Sequence, residues 1–176
     1  QGVQAALDAL KPDKIIHLAA ISSVDHGDVR QIYEVNLLGT RNLLEAARKL
    51  SNSLEAIVLA SSANVYGQQA GKLDETSPTL PASDYAVSKV AVELLASLYR
   101  GELPIIIARP FNYTGAGQSA RFVVAKIIAH LKEGKGEIEL GNLDVARDFS
   151  DVRDVCHFYG ELISKAEAIG EVYNLF

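Results

Sequence analysis

Two kinds of apolar pattern alternate along this chain. Unbroken apolar runs stand at 15–20 (Ile15-Ile16-His17-Leu18-Ala19-Ala20), 56–60 and 104–108. Each is bounded by turn residues, and together they predict parallel strands buried on both faces. Between them, apolar residues recur at helical spacing. This predicts one helix over 29–50, with Ile32, Val35, Gly39, Leu43, Ala46, Ala47 and Leu50 on its core stripe. A second is predicted over 83–99, with Ser83 as its N-cap. Residues 4–10 read as the end of a helix stopped by Lys11-Pro12-Asp13, and 67–82 as a loop rich in Gly, Asp, Ser and Pro. The later pattern is less regular. It predicts a helix near 119–134, short strands near Ile138 and Ala146, a helix over 151–165 and a strand over 172–176. The 151–165 helix carries Val152, Val155, Cys156, Tyr159, Leu162 and Ile163 on one face.

Strand, helix, strand, helix, strand at these intervals implies right-handed crossovers and a parallel α/β sheet. The 176 residues suffice for one core, and 48% hydrophobic with 22% charged residues is ordinary for a globular domain. A net charge of −5 without a basic stripe argues against nucleic acid as a partner. No run approaches the roughly 18 apolar residues of a membrane helix, and no signal peptide is evident. Cys156, the single cysteine, cannot form an internal disulfide, so a cytoplasmic setting is expected. His17 reads as a hydrogen-bonded core residue. His26, His130 and His157 show no metal-ligand spacing with one another or with Cys156. Cys156 reads as inert packing, and Gly115-Ala116-Gly117 as a turn.

In open parallel sheets, ligands bind beyond the carboxyl ends of the strands. Ala19-Ala20, Ser61-Ser62 and Arg109-Pro110-Phe111-Asn112 meet that condition. Tyr85 and Lys89, four residues apart, share a helix face. An ammonium beside a phenol would lower a pKa that starts near about 10 and make Tyr85 a general acid/base. Ser62 could hydrogen-bond the same substrate oxygen. A solvated Tyr–Lys pair is the plainer reading of that spacing. The order of buried strand, Ser-Ser, loop and Tyr-Lys helix favours chemistry.

Ser61-Ser62-Ala63-Asn64-Val65-Tyr66-Gly67 followed by Ser83-Asp84-Tyr85-Ala86-Val87-Ser88-Lys89 resembles the extended short-chain dehydrogenase/reductases. His17-Leu18-Ala19-Ala20, Asn36-Leu37-Leu38-Gly39-Thr40 and Arg109-Pro110-Phe111-Asn112 fall at matching stations, so the resemblance covers essentially the whole chain. It implies a Rossmann-like doubly wound parallel sheet, here incomplete because the first strands are missing, with part of a small C-terminal substrate-binding region. Residues 1–112 would be the C-terminal part of the dinucleotide-binding domain, and 113–176 a partial nucleotide-sugar-binding region interleaved with the sheet. The resemblance makes Ser62, Tyr85 and Lys89 catalytic. It assigns Ala19, Ala20, Asn36, Ser61, Tyr85, Lys89 and Pro110 to an NAD or NADP cofactor. Asn64, Asn112, Val123, Lys126, Gly141 and Arg147 fall to a nucleotide sugar. For Arg147, a surface arginine beside Asp148 is the alternative.

Arg109–Gln118, Gly141-Asn142-Leu143-Asp144 and Arg147-Asp148-Phe149 resemble enzymes of GDP-mannose derivatives. Within that group, dehydratases carry Glu where Asn64 stands, and an amide cannot take up a proton as that carboxylate does. The resemblance therefore implies a GDP-4-keto-6-deoxyhexose reductase, with a 4-epimerase as the alternative and a 4,6-dehydratase behind both. No G-x-x-G-x-x-G occurs in the chain. The expectation is an internal piece whose phosphate-binding turn lies upstream of Gln1 and which alone binds cofactor poorly. A non-catalytic fragment or dimerisation scaffold is the competing class. Apolar residues on both sides of the 29–50 helix (Leu37 and Leu44 outside the stripe) and of the 83–99 helix predict a homodimer through a four-helix bundle.

Overall fold

The computed structural model describes residues 2–22, 27–50, 53–141 and 143–176; His26 and Asn142 lie outside them. Helix α1 (Gly2–Leu10) precedes strand β1 (Lys14–His17), and α2 (Val29–Tyr33) runs through a π-helical turn, Glu34–Leu38, into α3 (Gly39–Arg48). Then come β2 (Ala56–Ala60), a 3₁₀ turn at Ala63–Tyr66, α4 (Asp84–Ser97) and β3 (Ile105–Pro110). The remainder comprises β4 (Asn112–Thr114), α5 (Val123–Lys132), β5 (Phe149–Asp151), α6 (Val152–Leu162) and β6 (Val172–Leu175).

β1, β2, β3 and β6 form one parallel sheet in that order, with Ile57 opposite both Ile15 and Ile105, and Ala108 opposite Tyr173. Side chains alternate between its faces. Ile57, Leu59, Ile105 and Ile107 pack against Leu7, Leu43, Leu44, Ala47, Val92 and Ala96 from α1, α3 and α4. Ala56, Val58, Ile106 and Ala108 face Val155, Tyr159 and Leu162 of α6. The central strands are buried on both sides, as their unbroken runs predict.

β1 departs from that expectation. It is the edge strand, and Ile16 and Leu18 are exposed. Ile15 leans on the α3/α4 face. Ile16 points to the face where, among the described residues, only α6 packs, and α6 sits over β2, β3 and β6.

The helix predicted over 29–50 is continuous but changes register at the π turn. Such a turn closes one residue wider than an α turn. After Ile32, the buried positions become Asn36, Thr40, Leu43, Leu44, Ala46 and Ala47. Val35, expected on the core stripe, is exposed, and Leu44, expected outside it, is fully buried.

α4 is capped by Ser83, whose hydroxyl accepts from the Ala86 amide at 3.2 Å. Gly67, at φ +67°, lets the following loop fold back, since a Cβ there would lie 1.9 Å from the Leu80 carbonyl oxygen. The segment 113–176 leaves the sheet and rejoins it at β6. On its way β4 pairs in parallel with β5, Asn112 opposite Phe149. The strands predicted near Ile138 and Ala146 do not form; the pairing residues lie nearer the sheet, where a neighbour exists. Cys156 is exposed instead of packed, because Val155, Tyr159 and Leu162 take the inward face of α6.

Candidate active site

β2 ends at Ala60, and Ser61 and Ser62 follow at its carboxyl end. The N-terminal half of α4 lies over that end. Ser62, Tyr85 and Lys89 are all buried there, between 5% and 7% exposed. Ser62 Oγ accepts from the Asn64 backbone amide and from the Asn64 side-chain amide, both at 3.2 Å. A hydroxyl has one donor and two lone pairs. With both lone pairs engaged, its proton is left to point at the Tyr85 phenol, whose anionic form it favours. Lys89 Nζ donates to the Ala60 carbonyl at 2.7 Å and lies 5.8 Å from the Tyr85 ring centre.

The electrostatics correct one expectation. Tyr85 is raised, not lowered: burial pushes the phenol up, the Ser62 hydrogen bond pulls it partly back, and Tyr113 adds to the rise. Lys89 carries the opposite change. Burial lowers it from 10.5 to about 8. The lysine lies beside the ring and is engaged by a carbonyl, so its charge is not aimed at the phenolic oxygen.

Asn36, turned inward by the π turn, is 1% exposed. Its amide accepts from Ile21 N at 2.8 Å and donates to Ile21 O and to Ser88 Oγ, both at 3.0 Å. Ser88 in turn donates to the Tyr85 carbonyl at 2.7 Å. Asn36 therefore holds the α4 turn and the chain after β1 together from beneath. His17 is hydrogen-bonded to Thr40 Oγ1 at 2.9 Å, and burial first, then Lys89, lowers its pKa. Ala19 is exposed and Ala20 half-buried, whereas Ser61 and Pro110 are buried. A dinucleotide's nicotinamide end fits these residues. Lys89 has three donors, one of them engaged by Ala60, and the shelf made by Ala19 and Ala20 is free of bulky side chains.

The sugar-nucleotide residues are gathered only in part. Asn112 Nδ2 donates to the Asp148 carbonyl at 3.1 Å, next to Arg147. Arg147 is exposed and donates to its neighbour's carbonyl, Ala146 O, at 3.3 Å. Val123 opens α5, Lys126 donates to the Glu139 carbonyl, and Gly141 is exposed. No contact links these to Ser62 or Tyr85 among the described residues.

Two features were missed at the sequence level. Tyr113 and Tyr159 bring further phenols near Tyr85, with Tyr159 pushed up first by burial and then by both. Glu93 and Arg109 form a buried ion pair behind Ser61. Glu93 at four residues past Lys89 was the available signal. No cluster able to hold a metal ion occurs among the described residues. Among those residues, no helix is long and apolar enough to cross a membrane.

A family model described as GDP-mannose 4,6 dehydratase matches residues 1–175. GDP-6-deoxy-D-talose 4-dehydrogenase of Aggregatibacter actinomycetemcomitans is 39% identical over 164 residues, 93% of this chain and 56% of that protein. GDP-6-deoxy-D-mannose reductase of Pseudomonas aeruginosa is 41% identical over 179 residues, 93% of this chain and 57% of that protein. The chain thus spans little more than half the length of these relatives. Among solved structures, RMD from Pseudomonas aeruginosa complexed with NADPH superposes with TM-score 0.83 at 38% identity, covering 93% of this chain and 59% of that one. UDP-glucuronic acid 4-epimerase from Bacillus cereus, in complex with UDP-glucuronic acid and NAD, gives 0.88 at 28% identity, covering 99% and 56%.

Proposed function

The chain belongs to the GDP-mannose 4,6-dehydratase family, and from that premise we propose that the whole protein is an NAD(P)H-dependent reductase of a GDP-4-keto-6-deoxyhexose. The observation that carries the reading is the buried cluster of Ser62, Tyr85 and Lys89 at the carboxyl end of β2, with the lysine beside the Tyr85 ring. Asn64 supports reduction over dehydration: its amide orients Ser62 and cannot serve as the acid or base of an elimination as a carboxylate would. The two curated relatives, named for 4-dehydrogenase and reductase activities on GDP-6-deoxyhexoses, point the same way.

When bound, the nicotinamide supplies the hydride that reduces C4. Ser62 donates its hydroxyl to the C4 oxygen and holds the carbonyl in line. Tyr85, kept protonated near neutrality by burial, gives its proton to that oxygen as the negative charge develops. Lys89 would hold the ribose through the donors that Ala60 leaves unengaged. Ala19, Ala20, Ser61 and Pro110 bound the cofactor face, with Asn36 supporting it. Asn112 and Arg147 take the diphosphate, the guanidinium matching its oxygens through paired donors; Asn64, Val123, Lys126 and Gly141 line the rest of the sugar-nucleotide site.

In full-length protein, NAD(P)H oxidation with a GDP-4-keto-6-deoxyhexose should give the 6-deoxyhexose, and Tyr85→Phe should lower kcat about 1,000-fold. A 4-epimerase uses the same three residues. Interconversion of C4 epimers with no net NAD(P)H oxidation would establish that reading and overturn the first.

The partner reading is a homodimer in the cytoplasm. Val87 and Leu94 on α4, Leu98 at its C-cap, and Val35 and Leu38 on the preceding helix are exposed apolar positions that a second copy would cover. Leu94→Glu with Leu98→Glu should convert the dimer to monomer in sedimentation.

A further inference from the structure

At the site, one helix grips the last residue of β2 and the residue after it. Lys89 holds the Ala60 carbonyl at 2.7 Å, and the Ser61 hydroxyl donates to the Glu93 carboxylate. The next residue is Ser62. Glu93 follows Lys89 by four positions, so the two stand on neighbouring turns of one face of α4.

Glu93 does not stand alone. Arg109, near the end of β3, meets it through two parallel bonds, Nε to Oε1 at 2.9 Å and Nη2 to Oε2 at 2.6 Å. The side chains of Arg109 and Glu93 are only 7% and 12% exposed. Arg109 Nη1 donates to the Tyr66 hydroxyl at 2.8 Å and to the Glu75 carbonyl at 3.3 Å. Tyr66 donates onward to Asn174 Oδ1 in β6 at 2.7 Å. The arrangement ties α4, β2, β3 and β6 together immediately behind Ser62.

A buried ion pair is a poor device for stability alone, because well-packed apolar side chains of similar volume often serve as well. The two-point geometry fixes direction and register, which apolar contacts do loosely. We propose that Glu93 and Arg109 are positioning residues for Ser62, Tyr85 and Lys89: their paired bonds, with the Ser61 hydroxyl, set the register of α4 against the serine-bearing end of β2. The inference rests on the reductase reading above for its functional meaning.

The test compares full-length wild type with Glu93→Leu/Arg109→Met, Glu93→Gln and Ser61→Ala. In the double variant kcat should fall about 100-fold with KM nearly unchanged, the signature of a constellation displaced by about an ångström. Its thermal midpoint should stay close to wild type. Ser61→Ala, which removes one tether, should lose about tenfold in kcat. A second readout needs no turnover: pH-dependent acylation of Lys89, followed by peptide mass. In wild type its midpoint should fall at about 8, where burial places the ammonium. Release of α4 rehydrates the ammonium, so the midpoint in the folded double variant should rise towards about 10.4, the free lysine value. An unmoved Lys89 midpoint in the folded variant overturns the proposal whatever the activity does. Should the double variant not fold, Glu93→Gln keeps the shape without the charge and decides by the same shift. A wild type that turns over no GDP sugar, with a Lys89 midpoint that still moves when the pair is removed, sinks the reductase reading and leaves the positioning role standing.

Discussion

α4 and α5 are both apolar helices, yet they do opposite things. α4 buries Tyr85, Ala86, Ser88, Lys89, Val92 and Ala96, whereas α5 buries none of its residues. Around α4, Ser62 and Lys89 are buried and held by hydrogen bonds to Asn64 and to the Ala60 carbonyl. Around α5 and the chain up to β5, Lys126, Gly141 and Arg147, proposed above for the sugar nucleotide, lie exposed. Geometry that must be accurate before any ligand arrives sits on the sheet, and geometry that a ligand can complete sits on the excursion from it. On the proposed function, this is preorganisation where the proton would move and adaptability where the nucleotide would be recognised.

That contrast can be broken most directly by cavities. Ile106→Ala, at a fully buried position of β3, should destabilise by about 3 kcal/mol, while Ile128→Ala on α5 should change stability by about 0.5 kcal/mol or less. Denaturant unfolding of both variants checks it, and equal losses would mean that α5 is packed as tightly as the sheet.

The next effect concerns the cost of placing Lys89 in the core. Its folded pKa is about 8, against 10.5 for a lysine side chain in water. Below about 8 the folded state carries a buried charge and is penalised. Between that value and 10.5 the unfolded chain binds more protons, so stability rises with pH. Lys89→Met should therefore stabilise the protein at pH 7, by up to about 3 kcal/mol, while abolishing turnover. Its advantage over wild type should shrink as pH climbs through that window, which unfolding midpoints across a pH series would record.

Arg147→Ala gives the smallest effect. It should raise KM for the GDP sugar about tenfold with kcat little changed, as expected of a phosphate contact outside the reacting centre. A kcat loss equal to that of Tyr85→Phe would erase the distinction between the two regions.

The sheet was legible because β2 and β3 are unbroken apolar runs, and nothing but burial on both faces explains Ile57-Val58-Leu59 beside Ile105-Ile106-Ile107. Ser62, Tyr85 and Lys89 were legible from their order along the chain and from resemblance. The pKa relation of Tyr85 and Lys89 was not. It depends on which atom the ammonium faces, and sequence spacing gives only the side of the helix. Glu93 was hidden for a related reason: its partner Arg109 is sixteen residues away on a different element, and only the packed fold joins them. The exposure of Ile16 escaped because an apolar run does not say whether a strand lies at an edge. β4 and β5 are three residues each, too short for a periodic signal.

The wide turn at Glu34–Leu38 gives the chain a place where one residue can be lost without turning the helix. It takes up one more position than an ordinary α turn, so a deletion there closes the turn and leaves the flanking segments on their faces. The regular helix beyond has no such slack: losing one residue there, such as the exposed Arg41, would rotate everything before the cut by about 100° relative to everything after it. Ile32 and Asn36 would then no longer share a face with Leu43 and Ala47, the Asn36 amide would leave Ile21 and Ser88, and the centre around Ser62 would be undone with each of its residues still encoded.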